Sequence, residues 1–421
     1  MAQVMLEQLK KMRRRWLLLV TTIIVMMFIS IYQYSWSIFA DGLRKSFKWD
    51  LAAIQLTFTL FTYFATFVQP FSGWFADRFG PRLIAIIASI LVAVGYIASS
   101  TVRSLPELYL YYSLGSIGVG ILYGLSAAIA VKWFPDRRGL ATGLTTFGFG
   151  SGTAIFNVII NSWATSFGVL TTFLYTGILM AIFILPFAIL YQYPEFVLGK
   201  SGSASGEKRE KVEEKKVKEE VAKDLVNWRW HEMMKTHQWW LIYISFTIIA
   251  AIALLFGGNL KLIASELKID PLTLSLALTL FPIANGLSRV LGGYISDLIG
   301  RQATAALFYA LSGVFMLLLT FYGKSPILFL AFVILTMLFA GAVFAFNPAF
   351  IGDFYGPRYA TTNYGITYTA KAWGGMVSGY VTAWLVTLFG TYTYSMIGLG
   401  IGSFIAAILV CPWILRKPMK K

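Results

Sequence analysis

Two basic residues lie inside stretches that are otherwise apolar. Lys371 lies in ITYTAKAWGGMVSGYVTAW (366–384), and Arg289 lies in FPIANGLSRVLGGYIS (281–296). A charged side chain inside a bilayer costs about 2.5–3.5 kcal/mol on insertion scales. No Asp or Glu lies in the interior of any span predicted below, so the two cations have no internal counter-ion. The pair therefore predicts a binding site for an external anion.

Both side chains are expected to lie close to the middle of the membrane. Measured along its helix from the same side of the membrane, Arg289 lies at a depth of roughly 12 Å and Lys371 at roughly 15 Å. The apolar core of a bilayer is about 30 Å thick. The alternative is structural: the lysine extends to the interface, or either side chain donates to backbone carbonyls.

Polar and aromatic residues at helical spacing surround the two cations. Tyr364, Tyr368, Lys371 and Gly375 share one helix face, and Asn285 precedes Arg289 by one turn. Tyr and Gln side chains can donate to carboxylate oxygens. The alternative role of such an aromatic stripe is packing. The candidate substrate-binding residues are Gln33, Tyr34, Tyr123, Asn285, Arg289, Tyr368 and Lys371.

The elements that carry these residues are membrane helices. The chain has 421 residues, 57% of them hydrophobic and only 13% charged, whereas soluble domains carry about 25% charged residues. Apolar runs of roughly 20 residues predict spans. An all-α membrane protein is therefore expected, with twelve spans at about 16–40, 52–76, 83–101, 106–132, 140–163, 168–192, 239–264, 272–296, 303–322, 326–351, 361–388 and 392–415.

The spans divide into two bundles joined by a polar segment. We expect an N-terminal six-helix bundle at 1–192, a cytoplasmic linker at 193–238 and a C-terminal six-helix bundle at 239–421. Glu–Lys pairs four residues apart indicate that the linker is partly helical. The tryptophans and basic residues of NWRWHEMMKTHQWW favour a helix at the membrane interface. His231 and His237 lie there without partner ligands at metal-binding spacing, so no metal site is predicted.

The net charge of +16 follows the membrane topology. Basic residues cluster at the ends of spans, as in KKMRRR and RKPMKK, and no compact basic domain suited to nucleic acid is present. The loop after span 1, with Arg44, Lys45 and Lys48, is an exception to the overall bias. The bias places both termini in the cytoplasm of a multi-pass protein of the cell (inner or plasma) membrane.

A repeated loop relates the two halves. GWFADRFGPR follows span 2 and GYISDLIGRQ follows span 8, both with the pattern G-x-x-x-D-x-x-G. Repeats in equivalent positions are typical of duplicated transporters. These loops resemble the signature loop of the major facilitator superfamily, which implies two six-helix bundles rocking around a central site. Their aspartates can accept from a helix N-terminus and their arginines can pair across the gap between bundles. The candidate gating residues are Gly73, Asp77, Arg78, Arg82, Asp297 and Arg301.

Shorter motifs resemble one family within that superfamily. QYSW, WFPDRRGLATG and NYG with a following AK are similar to the oxalate/formate antiporters, relatives of the monocarboxylate transporters. The resemblance implies that Arg289 and Lys371 bind carboxylate and that Gln33, Tyr34 and Tyr123 line the site. Three positions depart from the family and predict a less enclosed cage: Ala340 in place of an aromatic residue, Tyr368 in place of tryptophan and Phe149 in place of tyrosine.

The predicted function is secondary transport of small carboxylate anions, oxalate- or formate-like or monocarboxylates, by exchange through alternating access. One alternative is a proton-coupled monocarboxylate symporter, disfavoured because Asn285 stands where proton-coupled relatives often carry an aspartate. Another is a carboxylate-sensing membrane receptor. We expect no enzyme activity, because the spans hold no nucleophile–base constellation. We expect a monomer in contact with membrane lipid, without cofactor or nucleic acid.

Overall fold

The computed structural model describes residues 13–134, 138–193, 228–356 and 360–418. Within these ranges, twelve helical stretches are long and apolar enough to cross a membrane. The predicted all-helical architecture with twelve spans is confirmed. We number the spans 1 to 12 and call spans 1–6 the first half and spans 7–12 the second half.

Three spans of the first half are built from more than one helix. Span 1 runs seven residues beyond its predicted end at 40, as far as Phe47, and the prediction of its end was wrong. In chain order the six spans comprise Arg13–Ile29 with Ile31–Tyr34 and Trp36–Phe47, Leu51–Phe67 with Gln69–Phe79, Pro81–Ser99, Leu105–Trp133, Arg138–Ser151 with Thr153–Phe167, and Val169–Ile189.

The second half begins with a short helix, Trp230–Met233, where a longer interfacial helix was expected. Spans 10 and 11 are interrupted, and span 11 contains a π-helical turn at Val377–Val381. In chain order the six spans comprise His237–Glu266, Pro271–Ile299, Arg301–Tyr322, Pro326–Ala340 with Val343–Tyr355, Ala360–Tyr368 with Ala370–Met376, Val377–Val381 and Thr382–Phe389, and Thr393–Val410.

Short connections hold consecutive spans antiparallel. Gly80 and Gly300, the last glycines of the two repeated loops, have φ of +87° and +93°, a region that favours glycine. Each is followed at once by the next span. An even number of spans brings the chain ends to one side of the membrane. We call that side the terminal face and the other the distal face, where Asp50 and Asp270 cap spans 2 and 8 by accepting from Ala53 N and Thr273 N.

The halves meet along a surface that requires small residues. Spans 1, 2 and 5 pack against spans 7, 11 and 8. A Cβ atom on Gly150 of span 5 would lie 2.7 Å from Gly286 Cα of span 8. A Cβ atom on Gly375 of span 11 would lie 1.9 Å from Thr62 Oγ1 of span 2. These contacts leave no space for a side chain, so the glycines let the halves approach closely around the middle of the membrane.

Large apolar side chains on the outer surface are exposed. Phe71, Ile327 and Trp413 are among them, as are residues along most spans. A water-soluble protein rarely exposes apolar surface of this extent. The exposed side chains are suited to contact with lipid, as the composition of the chain predicts.

Candidate functional site

Arg289 and Lys371 are buried together between the two halves. They are 7% and 5% exposed. The Arg289 Cζ atom lies 5.0 Å from the centre of the Phe344 ring, and Lys371 Nζ lies 5.8 Å from the same centre. Neither side chain reaches the lipid surface. The two charges, from spans 8 and 11, therefore lie beside the same ring, and they repel one another.

The hydrogen bonds of the two cations within the protein are long. Arg289 Nη1 donates to Thr146 O at 3.4 Å, and Lys371 Nζ donates to Tyr368 Oη at 3.5 Å. Arg289 Nε is buried without a hydrogen-bond partner among the described residues. Such distances give weak bonds. Side-chain hydrogen bonds also link Arg289 to Tyr34 and Tyr123, so Arg289 Nε and the Lys371 ammonium are the donors left for a ligand.

Neither cation is paired with a carboxylate in the part of the chain that the structure describes. Elsewhere, buried or half-buried basic groups do have such partners: Lys261 Nζ lies 3.3 Å from Asp41, and Arg301 Nε lies 2.5 Å from Asp353. A buried charge without a partner is costly. This contrast distinguishes the pair from the ordinary ion pairs of the same protein.

Aromatic side chains from both halves form the walls around the pair. Lys371 Nζ lies 5.8 Å from the Phe149 ring centre and 5.6 Å from that of Tyr368. Tyr123 of span 4 stacks on Tyr368 of span 11 with ring centres 6.1 Å apart. Cations near aromatic faces gain about 0.5–2 kcal/mol. The rings offset part of the cost of the unpaired charges.

One hydrogen bond next to Arg289 joins the halves directly. Asn285 Nδ2 of span 8 donates to Tyr34 Oη of span 1. Asn285 is one helical turn from Arg289, and its Oδ1 atom is buried without a partner among the described residues. Tyr34 also packs against Phe149 and Phe281. Tyr34 and Asn285 therefore link the wall of the site to the contact between the halves.

The remaining predicted site residue is less closely connected to the pair. Gln33 is buried, and its Oε1 atom has no hydrogen-bond partner among the described residues. Its backbone carbonyl lies against Gly257 of span 7. The structure thus places Gln33 at the contact between halves, and no described contact joins its side chain to Arg289 or Lys371.

Several spans are interrupted at the level of these residues. Span 1 breaks at Ser30 and Ser35, on either side of Gln33 and Tyr34, and span 11 breaks at Thr369, two residues before Lys371. Span 10 breaks before Val343, next to Phe344. Broken helices in transporters typically surround the substrate site. The sequence carries no clear signal for these breaks, because no proline lies at any of them.

The repeated loops differ from the expected clasp between bundles. Arg301 Nε donates to Asp353 Oδ2 of span 10, which belongs to the same half. This contact joins the end of span 10 to the start of span 9, and pairing of a loop arginine across the gap stays a prediction. Gly73 and Arg82 flank the first loop. The side chains of Asp77, Arg78 and Asp297 lie outside the described part of the structure.

The expectation that no acidic residue lies within a span also requires correction. Because span 1 continues to Phe47, Asp41 lies inside its last helix and is buried. It pairs with Lys261 of span 7, a basic residue within a span that the sequence analysis did not single out. Hydropathy alone ends span 1 too early, because Asp41 and the basic residues after it lower the average over the final turns.

A family model supports the resemblance seen in the loops. The model described as Major Facilitator Superfamily matches residues 17–260 and 242–421. The chain is 32% identical over 410 residues to the oxalate:formate antiporter of Oxalobacter formigenes, covering 97% of this chain and 94% of that protein. It is 29% identical over 102 residues to monocarboxylate transporter 14 of Mus musculus, covering 24% of this chain and 20% of the relative.

The same architecture occurs in a solved transporter structure. A crystal structure of a mutant of the nucleoside transporter NupG superposes with a TM-score of 0.68 at 15% sequence identity, covering 93% of this chain and 98% of that chain. At this identity the likeness concerns the fold alone. It supports the arrangement of the twelve spans.

Proposed function

The chain belongs to the major facilitator superfamily and, within it, to the family of the oxalate:formate antiporter, and from this premise we propose that it exchanges small carboxylate anions across the membrane by alternating access. One observation carries the proposal. Arg289 and Lys371 are buried beside one ring, and no carboxylate of the described residues pairs with either. An anionic ligand is the group that such a pair lacks.

Each cation has a distinct role in binding. The guanidinium of Arg289 is planar and offers a fork of donors that matches a carboxylate, while the Lys371 ammonium acts as a point charge. Phe344, near both, presents a flat apolar surface against which a small planar anion can lie. The tyrosine hydroxyl of Tyr368, 3.5 Å from Lys371 Nζ, is positioned to contact the same ligand. The substrate class is therefore a small carboxylate, oxalate- or formate-like or a monocarboxylate.

Exchange follows from the energy of the unloaded site. Closing the halves around two uncompensated cations costs several kcal/mol per charge, and a bound anion removes most of that cost. Reorientation without cargo is then slow and reorientation with cargo is fast. A carrier with this property exchanges one anion for another instead of moving one alone.

The first test is counterflow in proteoliposomes. Vesicles preloaded with oxalate, formate, lactate, pyruvate or acetate are assayed for uptake of the same labelled anion. We expect at least one of these anions to enter at a rate that depends on the internal anion. Uptake into unloaded vesicles driven by a pH step would instead favour the proton-coupled monocarboxylate symporter. Absence of counterflow with every anion of the panel would contradict the proposed substrate class.

The second test introduces a titratable group beside the pair. Asn285 cannot titrate, and it lies one turn from Arg289. In Asn285→Asp, the ionised carboxylate would pair with Arg289 and compete with the substrate, while the protonated form would not. Exchange by this variant is therefore expected to fall as pH rises, by roughly tenfold once the group is ionised.

The matched control for that test is Asn285→Ala. It also removes the hydrogen bond to Tyr34 but adds no titratable group. Its activity is expected to be lower than that of the parent, with the parent's pH profile. A common pH profile for the parent, Asn285→Ala and Asn285→Asp would contradict the placement of position 285 next to the bound anion.

A further inference from the structure

A second cluster of charged residues lies between the halves, near the distal face. Lys261 Nζ of span 7 lies 3.3 Å from Asp41 Oδ2 of span 1 and donates to Asn161 Oδ1 of span 5 at 2.8 Å. The side chains of Asp41 and Lys261 are 8% and 12% exposed. Asp41 also accepts from Lys45 Nζ at 2.9 Å, but Lys45 is 72% exposed and lies on the same helix.

The position of this cluster in the fold is informative. Asp41 and Lys261 are about two turns or less from the distal ends of spans 1 and 7, roughly 8–9 Å along the helices. Among ion pairs between side chains that the structure describes, Asp41–Lys261 is the one that joins the first half to the second. Lys261 makes contacts to two different spans of the first half, so it fastens spans 1 and 5 to span 7.

Neutral hydrogen bonds close the same face around the cluster. Gln55 Nε2 of span 2 donates to Gly258 O of span 7 at 2.8 Å. Asn157 Nδ2 of span 5 donates to Leu278 O of span 8 at 2.8 Å. These bonds run between the halves on the distal side of the site. The conformation in the structure is therefore one in which the distal face is held shut by polar contacts.

We propose that Asp41, Lys261 and Asn161 form a lock that keeps the distal face closed, and that breaking the Asp41–Lys261 pair is a required step in opening it. The inference rests on the alternating-access part of the proposed function, because a carrier that never opened distally would need no releasable contact there. The lock is separate from the substrate site: neither cation of that site contacts these residues.

The two partners of Asp41 make the lock asymmetric. When the halves separate, Asp41 keeps Lys45 as a partner four residues along the same helix, whereas Lys261 leaves both Asp41 and Asn161. Removal of the Asp41 carboxylate therefore leaves span 7 held by the neutral bond from Lys261 to Asn161 and leaves Lys261 beside the positive Lys45. Removal of the Lys261 charge leaves Asp41 still paired. Asp41→Asn should consequently open the distal face more than Lys261→Gln does.

A cysteine reporter measures the opening without any substrate. The native Cys411 is replaced by serine, and Ser37, one turn from Asp41 on the same helix face, is replaced by cysteine. Ser37 is buried, and its hydroxyl has no partner among the described residues. A membrane-impermeant methanethiosulfonate reagent is added to the distal side of oriented proteoliposomes. Its reaction rate reports the population of the state that is open distally.

We expect Asp41→Asn to raise the labelling rate by roughly tenfold, Lys261→Gln to raise it less, and Asn161→Asp to lower it, because a second carboxylate then holds Lys261. Lys45→Gln is the matched control: it removes a lysine bonded to the same carboxylate but spares the contact between halves, and it should not raise the rate. Size-exclusion chromatography checks that each variant is folded, and the Asn161→Asp arm is informative even where Asp41→Asn is unstable.

Two outcomes would overturn the lock: equal labelling rates in the parent, Asp41→Asn and Asn161→Asp, or a Lys45→Gln rate as high as that of Asp41→Asn. A high rate in Lys45→Gln would show that Asp41 acts through its contact with Lys45 inside span 1 and not through the contact between the halves. The readout needs no anion, so its failure is distinguishable from failure of the proposed function. Changed labelling without carboxylate counterflow would support the lock and reject the substrate class. Carboxylate counterflow with unchanged labelling would support the substrate class and reject the lock.

Discussion

Replacing Lys371 by methionine or alanine is expected to abolish carboxylate exchange. The methionine variant is also expected to be at least as stable to unfolding as the parent protein. The ammonium lies 5.8 Å from the Phe344 ring and is paired with no carboxylate of the described residues. Removing a charge that contacts the substrate costs about 3 kcal/mol or more, roughly a hundredfold in affinity. Removing an uncompensated buried charge also relieves its desolvation cost, about 2.5–3.5 kcal/mol on insertion scales.

Counterflow and thermal unfolding without substrate measure the two effects separately. Methionine conserves most of the volume of lysine, so it avoids the cavity that alanine leaves. Trp384→Leu, a half-exposed position on the same span, is the matched control and should retain exchange. Retained exchange in Lys371→Met would remove the lysine from the substrate site. Loss of the folded state in the same variant would mean that the charge serves the protein itself.

Replacing Arg289 by lysine is expected to reduce exchange by roughly tenfold to a hundredfold, although the charge is conserved. Arg289 is buried, and its Nε atom has no partner among the described residues, so this donor of the fork is available to a carboxylate. Lysine has no planar fork and cannot bind bidentately. A hydrogen bond to a charged group contributes about 1.5–3 kcal/mol, which sets the range of the loss. Arg289→Ala, which removes the charge as well, should abolish exchange.

The concentration dependence of counterflow distinguishes these effects. Arg289→Lys should weaken apparent affinity, and Val290→Ala, at the neighbouring exposed position, should not. Full activity in Arg289→Lys would show that position 289 contributes charge alone. Full activity in Arg289→Ala would contradict its assignment to the substrate site.

The two charged clusters give the carrier a simple physical logic. At the centre, Arg289 and Lys371 have no carboxylate partner among the described residues, and in the proposed mechanism the substrate neutralises them. Near the distal face, Asp41 and Lys261 neutralise each other across the halves. In this proposal, substrate binding lowers the free energy of closing the halves around the central site. Opening of the distal face must separate Asp41 from Lys261, so their attraction raises the free energy of opening. The balance between these terms sets how often the distal side is exposed.

The sequence alone determined the fold class, and it singled out the two cations on which the proposed site rests. Apolar runs of about 20 residues have one physical solution in a bilayer, because the backbone must satisfy its own hydrogen bonds there. The twelve helices follow from that rule, and the repeated loops at Gly73 and Gly293 predicted the superfamily that the comparisons confirmed. Arg289 and Lys371 were singled out for a related reason. A charge inside an apolar span costs free energy, and such a residue therefore indicates a functional site.

The tertiary structure decided which of these residues meet. Helical periodicity assigns a residue to a face but not to a neighbour. The common ring of Phe344, the bond from Asn285 to Tyr34 and the position of Gln33 at the contact between the halves therefore required the packing of both halves. Span 1 was predicted too short because hydropathy penalises Asp41. In the fold, Lys261, distant in sequence, offsets that penalty. Pairings between distant residues depend on how helices pack, and local composition carries no information about them.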